Sequence, residues 1–443
     1  MISILKALEQ IKSAPLDAAI GTVTDVVGLV VEVGGLRAGV GELLAVLHED
    51  PRVHALDLEV IGFRKGRLLA TPLGSVAGVA PGVRVVKSTR GSAVPVGDEL
   101  LGRIVDSFGR PLDELQPPRT SGRYPVHASP PPAVSRRGIE HVFHTHVRAI
   151  DSLLTLGQGQ RVGIFAGAGV GKSTLLGMIC RRAEADVNVV ALVGERGREL
   201  GEFVRMSLGE DGLARSIVVA ATSDQPPLVR ARGAETATAM AEYFRDRGKR
   251  VLLVMDSVTR YAMALREAAL ATGEPPATKG YPPSVFAALP RLLERAGNCA
   301  GEGSITALYT VLVEGDEMTD PIADAARSIL DGHILLSRKL ADRGHFPAID
   351  VLASVSRLAP QLMQPPQARS AALVRDSMAT YANAADLVHI GAYVAGSDPR
   401  VDAAVRAAPA IDTFLRQGVD DGCLPEQALA MLAATARVAE GAG

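Results

Sequence analysis

A chain of 443 residues is too long for one compact core, so two or three domains are expected. A formal charge of −2, 4% aromatic residues and no tryptophan argue against a nucleic-acid binder that works through bulk charge or base stacking. No apolar run approaches the ~18–20 residues of a membrane span, and the amino terminus lacks a signal-peptide layout. Cys180, Cys299 and Cys423, far apart and without a CxxC, read as free thiols of a reducing cytosol.

Residues 1–13 place Ile4, Leu5, Leu8 and Ile11 on one helical face, with Lys6, Glu9, Gln10 and Lys12 elsewhere. This amino-terminal helical segment, taken to residue 18, either caps its own domain or docks a partner. Residues 19–90 change texture. Short β-branched or alternating runs at 23–27, 29–33, 56–61, 68–71 and 83–86, broken by glycines, Pro72 and Pro81, predict a small β-barrel. Residues 92–138 are rich in proline and glycine and predict an extended connection wrapped on the next domain. His141, His144 and His146 follow in HxxHxH spacing. No Cys, Asp or Glu stands at ligand spacing beside them, so they read as surface histidines rather than a metal site.

Apolar runs of strand length then recur at 162–166, 187–193, 216–221, 251–255, 305–311, 334–337 and 351–353, with helical patterns such as 234–247 between them. That alternation predicts a mostly parallel sheet covered on both faces, an α/β nucleotide-binding domain over residues 91–365. After Pro365-Pro366 the chain turns alanine-rich, with helical patterns at 370–385, 401–416 and 425–439. A small helical domain is expected over 366–443.

The chemistry centres on residues 161–174, RVGIFAGAGVGKST. An apolar strand, a glycine-rich loop and a helix-like run through Leu175, Leu176 and Ile179 form the context of a P-loop. Gly167, Ala168, Gly169, Val170 and Gly171 let the backbone curl and aim N–H groups at a polyphosphate, as does the start of the following helix. Lys172 would bridge β- and γ-phosphate oxygens of ATP, the Ser173 hydroxyl would take a place on Mg²⁺, and Thr174 completes the motif. Ala166 stands where the strict Walker A pattern has glycine, at a strand end where alanine is tolerated.

Two more strands end in carboxylates. Asp256 closes the run VLLVMD and can hold Mg²⁺ through its water shell. Glu195 follows VVALVG and is placed to polarise the attacking water, with Glu199 and Glu202 as competitors whose helical spacing suggests surface charges. Arg196, Arg260 and Arg357 are candidates for a further cation on the transition state; Arg357 can equally be a structural ion pair.

Together, residues 167–174, GERGRE at 194–199, DSVTRYA at 256–262 and PAIDVLASVS at 347–356 resemble the rotary ATP synthase catalytic-subunit superfamily. The stretch GEPPATKGYPPSVF at 273–286 is similar to the ATPases of type III protein export, which serve bacterial flagella and injectisomes. Lys279-Gly280-Tyr281, EGDEM at 314–318, Gly391-Ala392-Tyr393 and GSDP at 396–399 resemble the flagellar branch more.

The resemblance implies a barrel, a nucleotide domain and a helical domain assembled as a ring of six with ATP between neighbours. Glu195 then corresponds to the catalytic glutamate, Arg357 to a finger reaching the neighbouring site, Arg260 to a phosphate contact and Phe346 to an aromatic against adenine. It implies as partners a stator-like regulator at the amino terminus, a coiled-coil stalk, export chaperones with their substrates, and an export gate. The expected location is the cytoplasm, at the face of the inner membrane. Two competing readings are a nucleic-acid translocase on a related hexameric core and a ring subunit that holds ATP without hydrolysing it. Charge and aromatic content speak against the first, Glu195 against the second.

Overall fold

The computed structural model describes residues 19–47, 56–88, 92–313 and 320–441. The amphipathic segment 1–13 and the motif at 314–318 lie outside them.

Six antiparallel strands close into a barrel in the order Gly21–Val27, Val30–Gly34, Arg67–Pro72, Asp57–Arg64, Leu43–Val46 and Arg84–Lys87. The last pairs back onto the first through Gly21 with Val85 and Thr22 with Arg84. Val31, Val33, Leu44, Leu58, Val60 and Val85 fill its interior and are fully buried. Closure removes the unpaired edges that an open sheet of this size would present. Leu43–Val46 is the strand that the sequence did not announce.

The nucleotide domain is built on a nine-stranded sheet. From one edge its order is Ile349–Ser356, Gly332–Leu336, Arg161–Ala166, Ser304–Leu312, Arg250–Asp256, Val187–Val193, Ser216–Ala221 and Ile104–Val105, with Gly297–Asn298 beside Ser304–Leu312. Neighbours along this order run parallel except the first pair. All seven residues of Val187–Val193 are buried, as a parallel strand covered on both faces requires. One face packs against helices Pro227–Asp246, Val258–Ala271 and Pro283–Leu293. The other packs against helix Lys172–Arg182 and the carboxy-terminal helices Pro365–His389, Pro399–Leu415 and Pro425–Glu440. Phe414 and Leu432 enter the same core as Leu176 and Ile179, so the helical domain is seated directly on the nucleotide domain.

The proline- and glycine-rich connection does more than wrap. Ala93–Val96 pairs with Gly122–Pro125, and Ile104–Val105 adds an edge strand to the main sheet. Arg103 clamps Asp113 through two hydrogen bonds of 2.6 and 2.8 Å and holds its carboxyl down at about 2. The three histidines do not gather: His141 is exposed, while His144 and His146 are half-buried, and His146 Nδ1 lies 3.1 Å from the Cys423 carbonyl.

One ion pair is deep inside. Arg295 binds Glu242 at 2.9 and 2.6 Å, both side chains are 3% exposed, and Arg295 also donates to the Val126 carbonyl at 2.7 Å. This knot ties helix Pro227–Asp246 to the connection and to the chain beyond Pro283–Leu293. Glu242→Ala strands a buried guanidinium and is expected to destabilise the fold by about 3 kcal/mol. Thermal unfolding of the full chain checks this; an unchanged midpoint would contradict it.

Candidate nucleotide site

The carboxyl ends of four adjacent strands converge on one cleft of about 510 Å³. Such a crevice, outside the strand ends of an open parallel sheet, is where ligands bind. Arg161–Ala166 leads into the loop, where Gly169 and Gly171 adopt φ of 79° and 89°, left-handed values that favour glycine. Val170 is buried and anchors the loop, while Gly167, Ala168, Gly169 and Gly171 line the cleft. Helix Lys172–Arg182 starts without a side-chain cap, so its first N–H groups and dipole face the same cleft. The Ser173 and Thr174 side chains lie at this exposed first turn.

Lys172 reaches across to Asp256, with its Nζ hydrogen-bonded to Oδ1, and stands 4.0 Å from Glu195 Oε1. Asp256 ends its strand, is buried, and also accepts a 2.7 Å bond from the Thr310 hydroxyl. Ser257, next in line, caps helix Val258–Ala271 by accepting from the Arg260 backbone N–H at 3.2 Å. Glu195 is fixed by its backbone: Gly194 donates to the Ala221 carbonyl at 2.7 Å, and Ser223 donates to the Glu195 carbonyl at 3.0 Å. Gly194 has φ of 68° and packs so close to Arg260 that an added Cβ would lie 3.0 Å from the arginine Cβ.

Burial first, then the Asp256 charge and a hydrogen bond with Glu199, push the Glu195 carboxyl up to about 7, against the opposing pull of Lys172 and Arg260. Glu199, its side chain 44% exposed, is a surface charge that also borders the cleft beside Glu195. Glu202 does face outward and pairs with Arg198 at 3.3 Å.

The arginines separate. Arg260 lines the cleft, and its buried Nε has no hydrogen-bond partner among the described residues. Arg196 is at the rim, 81% exposed, with Glu199 3.9 Å away. Arg357 is elsewhere. Its backbone N–H donates to the Asp331 carbonyl, and Asp331 pairs with Arg161, the first residue of the strand whose far end carries the loop. At ~3.3 Å per residue the two ends of that strand are about 17 Å apart, beyond the reach of an arginine side chain. Arg357 lines a separate hollow with Asp324, Arg327 and His333, and among the described residues it pairs with no carboxylate.

Phe346 is 45% exposed, and its ring would touch a Cβ on Gly171 at 3.4 Å, so it lies against the loop. The helical domain holds it there: Gln417 N–H donates to the Phe346 carbonyl at 3.0 Å, Arg416 to the Gly344 carbonyl at 2.7 Å, and His345 Nδ1 lies 2.8 Å from Asp412. Arg338 Nη2 donates to the Ala168 carbonyl at 2.9 Å. Thr310 and Arg338 carried no signal in the sequence. A hydroxyl from Ser173, a single carboxylate from Asp256 and the oxygens of a polyphosphate are the hard donors that Mg²⁺ takes. Among the described residues no three His, Cys, Asp or Glu side chains form a metal cage of their own, so an ion here would be held jointly with phosphate.

Residues 146–356 match the ATP synthase alpha/beta family, nucleotide-binding domain, and residues 363–434 match the T3SS EscN ATPase C-terminal domain. The chain is 50% identical over 413 residues to the flagellum-specific ATP synthase of Bacillus subtilis (strain 168), covering 93% of this chain and 94% of that one. It is 49% identical over 413 residues to the type 3 secretion system ATPase of Xanthomonas euvesicatoria, covering 93% of each. The assembled ATPase EscN of the enteropathogenic E. coli type III secretion system superposes with a TM-score of 0.88 at 44% identity, covering 94% of this chain and all of that one. EscN in complex with its central stalk EscO gives 0.86 at 43% identity, with the same coverage. Fold and cleft together define a nucleotide-binding ATPase of the ATP synthase alpha/beta type. Within that class the chain belongs to the flagellar and type III secretion ATPases. The nucleic-acid translocase reading is not favoured.

Proposed function

We propose that the chain works as a homohexameric ring that hydrolyses Mg²⁺-bound ATP at sites shared between neighbouring subunits, and so promotes protein export. One observation carries this reading. Lys172, Asp256, Arg260 and Glu195 meet at the carboxyl end of the sheet, while Arg357 projects from the opposite end. A finger that cannot reach its own cleft is useful only to a neighbour's, and a chain that carries both halves needs copies of itself.

In this reading the loop amides and Lys172 hold the β- and γ-phosphates, and Phe346 offers its exposed ring to adenine. Ser173 and Asp256 hold Mg²⁺, which when bound neutralises charge on the phosphates. Ionised Glu195 accepts a proton from the attacking water, and Glu199 beside it tunes that ionisation. Arg260 and, from the neighbour, Arg357 stabilise the charge that develops on the transferred phosphoryl group. Arg196, solvated at the rim, steers the anionic substrate.

Several partners follow from kinship. EscN is known assembled and with a central stalk, which supports a ring with a coiled-coil stalk here. Residues 1–13 suit a stator-like regulator, and the helical domain suits chaperones with their substrates at the export gate. Among the described residues no helix is long and apolar enough to cross a membrane, in keeping with a peripheral place at the cytoplasmic face of the inner membrane. Relatives from flagella and from secretion systems match about equally; the motifs at 279–281 and 391–399 favour a flagellar apparatus.

Specific ATPase activity is expected to rise steeply with protein concentration as rings form, and to vanish in Glu195→Gln at every concentration. A flat profile across a range in which the assembly changes mass would remove the shared site. With Glu195 titrating near 7 and active only when ionised, kcat/KM is expected to rise as pH climbs through about 7 and to level off above it. A profile already flat below that pH would exclude Glu195 as the base.

A further inference from the structure

We propose that Thr310 is the fixed partner that orients the Asp256 carboxylate, which makes it a positioning residue for ATP hydrolysis. The inference rests on the reading of Asp256 as the carboxylate that serves Mg²⁺. Strand Ser304–Leu312 lies between the loop strand Arg161–Ala166 and Arg250–Asp256, parallel to both. Its Thr310 side chain is fully buried at the level of the Asp256 carboxylate.

A threonine hydroxyl has one proton to give. Two acceptors stand within reach, Asp256 Oδ1 at 2.7 Å and the Met255 carbonyl at 3.2 Å. The nearer one is charged, and a bond to an ionised acceptor is the stronger of the two. Asp256 Oδ1 has one other donor, the Lys172 ammonium, while no described residue donates to Oδ2.

The two donors differ in kind. Lys172 sits on a flexible four-carbon stem at the phosphate loop, and a polyphosphate competes for its charge. Thr310 is β-branched, with few rotamers, on a central strand packed on both faces. When Lys172 turns to phosphate, Thr310 remains and keeps Oδ1 engaged, so the carboxylate does not swing. Strand stability alone gives no reason for this hydroxyl. Tyr309, Val311, Ala307 and Leu308 around it are apolar and buried, and valine has the same shape without a polar atom to satisfy.

The test is the affinity of the full-length protein for an ATP analogue with a fluorescent ribose substituent, measured in excess Mg²⁺ and in EDTA. Wild type, Thr310→Val, Thr310→Ser and Asp256→Asn are compared. Wild type is expected to bind more tightly with Mg²⁺. Thr310→Val is expected to match wild type in EDTA and to lose about tenfold of the Mg²⁺ gain, the scale of a hydrogen bond to a charged group, while Thr310→Ser keeps it. Thr310→Ala serves the same comparison if the valine variant does not fold. A Thr310→Val protein with the full Mg²⁺ gain, or with the same loss in both conditions, would overturn the role of Thr310. Wild type without an Mg²⁺ gain, or Asp256→Asn with the full gain, would instead overturn the assignment of Asp256, and the inference with it.

Discussion

One ammonium group, Lys172 Nζ, stands between two carboxylates at the mouth of a parallel sheet, and the architecture serves to keep it there. Asp256 is buried and Glu195 half-buried. Two negative charges so placed are costly unless a cation lies between them, and the Glu195 carboxyl is raised first by its burial and then by the Asp256 charge. A phosphate that drew the ammonium away would remove one of the two cations that hold the Glu195 carboxyl down.

The sheet order explains why these residues meet. The loop strand Arg161–Ala166 is separated from Arg250–Asp256 by Ser304–Leu312, and Val187–Val193 follows beyond. Four neighbouring strands therefore deliver Lys172, Thr310, Asp256 and Glu195 in spatial sequence, although these residues are scattered over about a third of the chain. Packing on both faces fixes the strand ends, so the side chains begin from rigid points. The helical domain adds the fifth element. Asp412, Arg416 and Gln417 grip the segment 344–346, which lays Phe346 on the loop, so a movement of those helices reaches the loop through one short strap.

Much of this was legible in the residues. Predominantly apolar runs such as 187–193 and 216–221 became strands with unchanged bounds, because a strand buried on both faces reads as a near-continuous hydrophobic run. The loop, Asp256 and Glu195 stood out because each ends such a run. Leu43–Val46 was missed: four residues without alternation carry too little pattern. Ile104–Val105 is shorter still and joins the sheet by its pairing with Ser216–Ala221. Helical spacing put Glu199 on a surface face but could not show that this face borders the cleft. Thr310 was invisible, since a lone threonine in an apolar strand reads as a β-former. Arg357 was ambiguous from its own neighbours; the sheet places it at the far end from the loop, outside its own cleft.

The central claim is that each working site takes Glu195 from one subunit and Arg357 from the next. The most direct measurement mixes two inactive proteins, Glu195→Gln and Arg357→Ala, under conditions in which rings exchange subunits, and records ATPase activity. Random rings would contain intact composite sites at roughly a quarter of their interfaces, so activity should reappear at about that fraction of wild type. If the mixture stays as inactive as its parts while mixed rings demonstrably form, the two residues do not share a site across the interface.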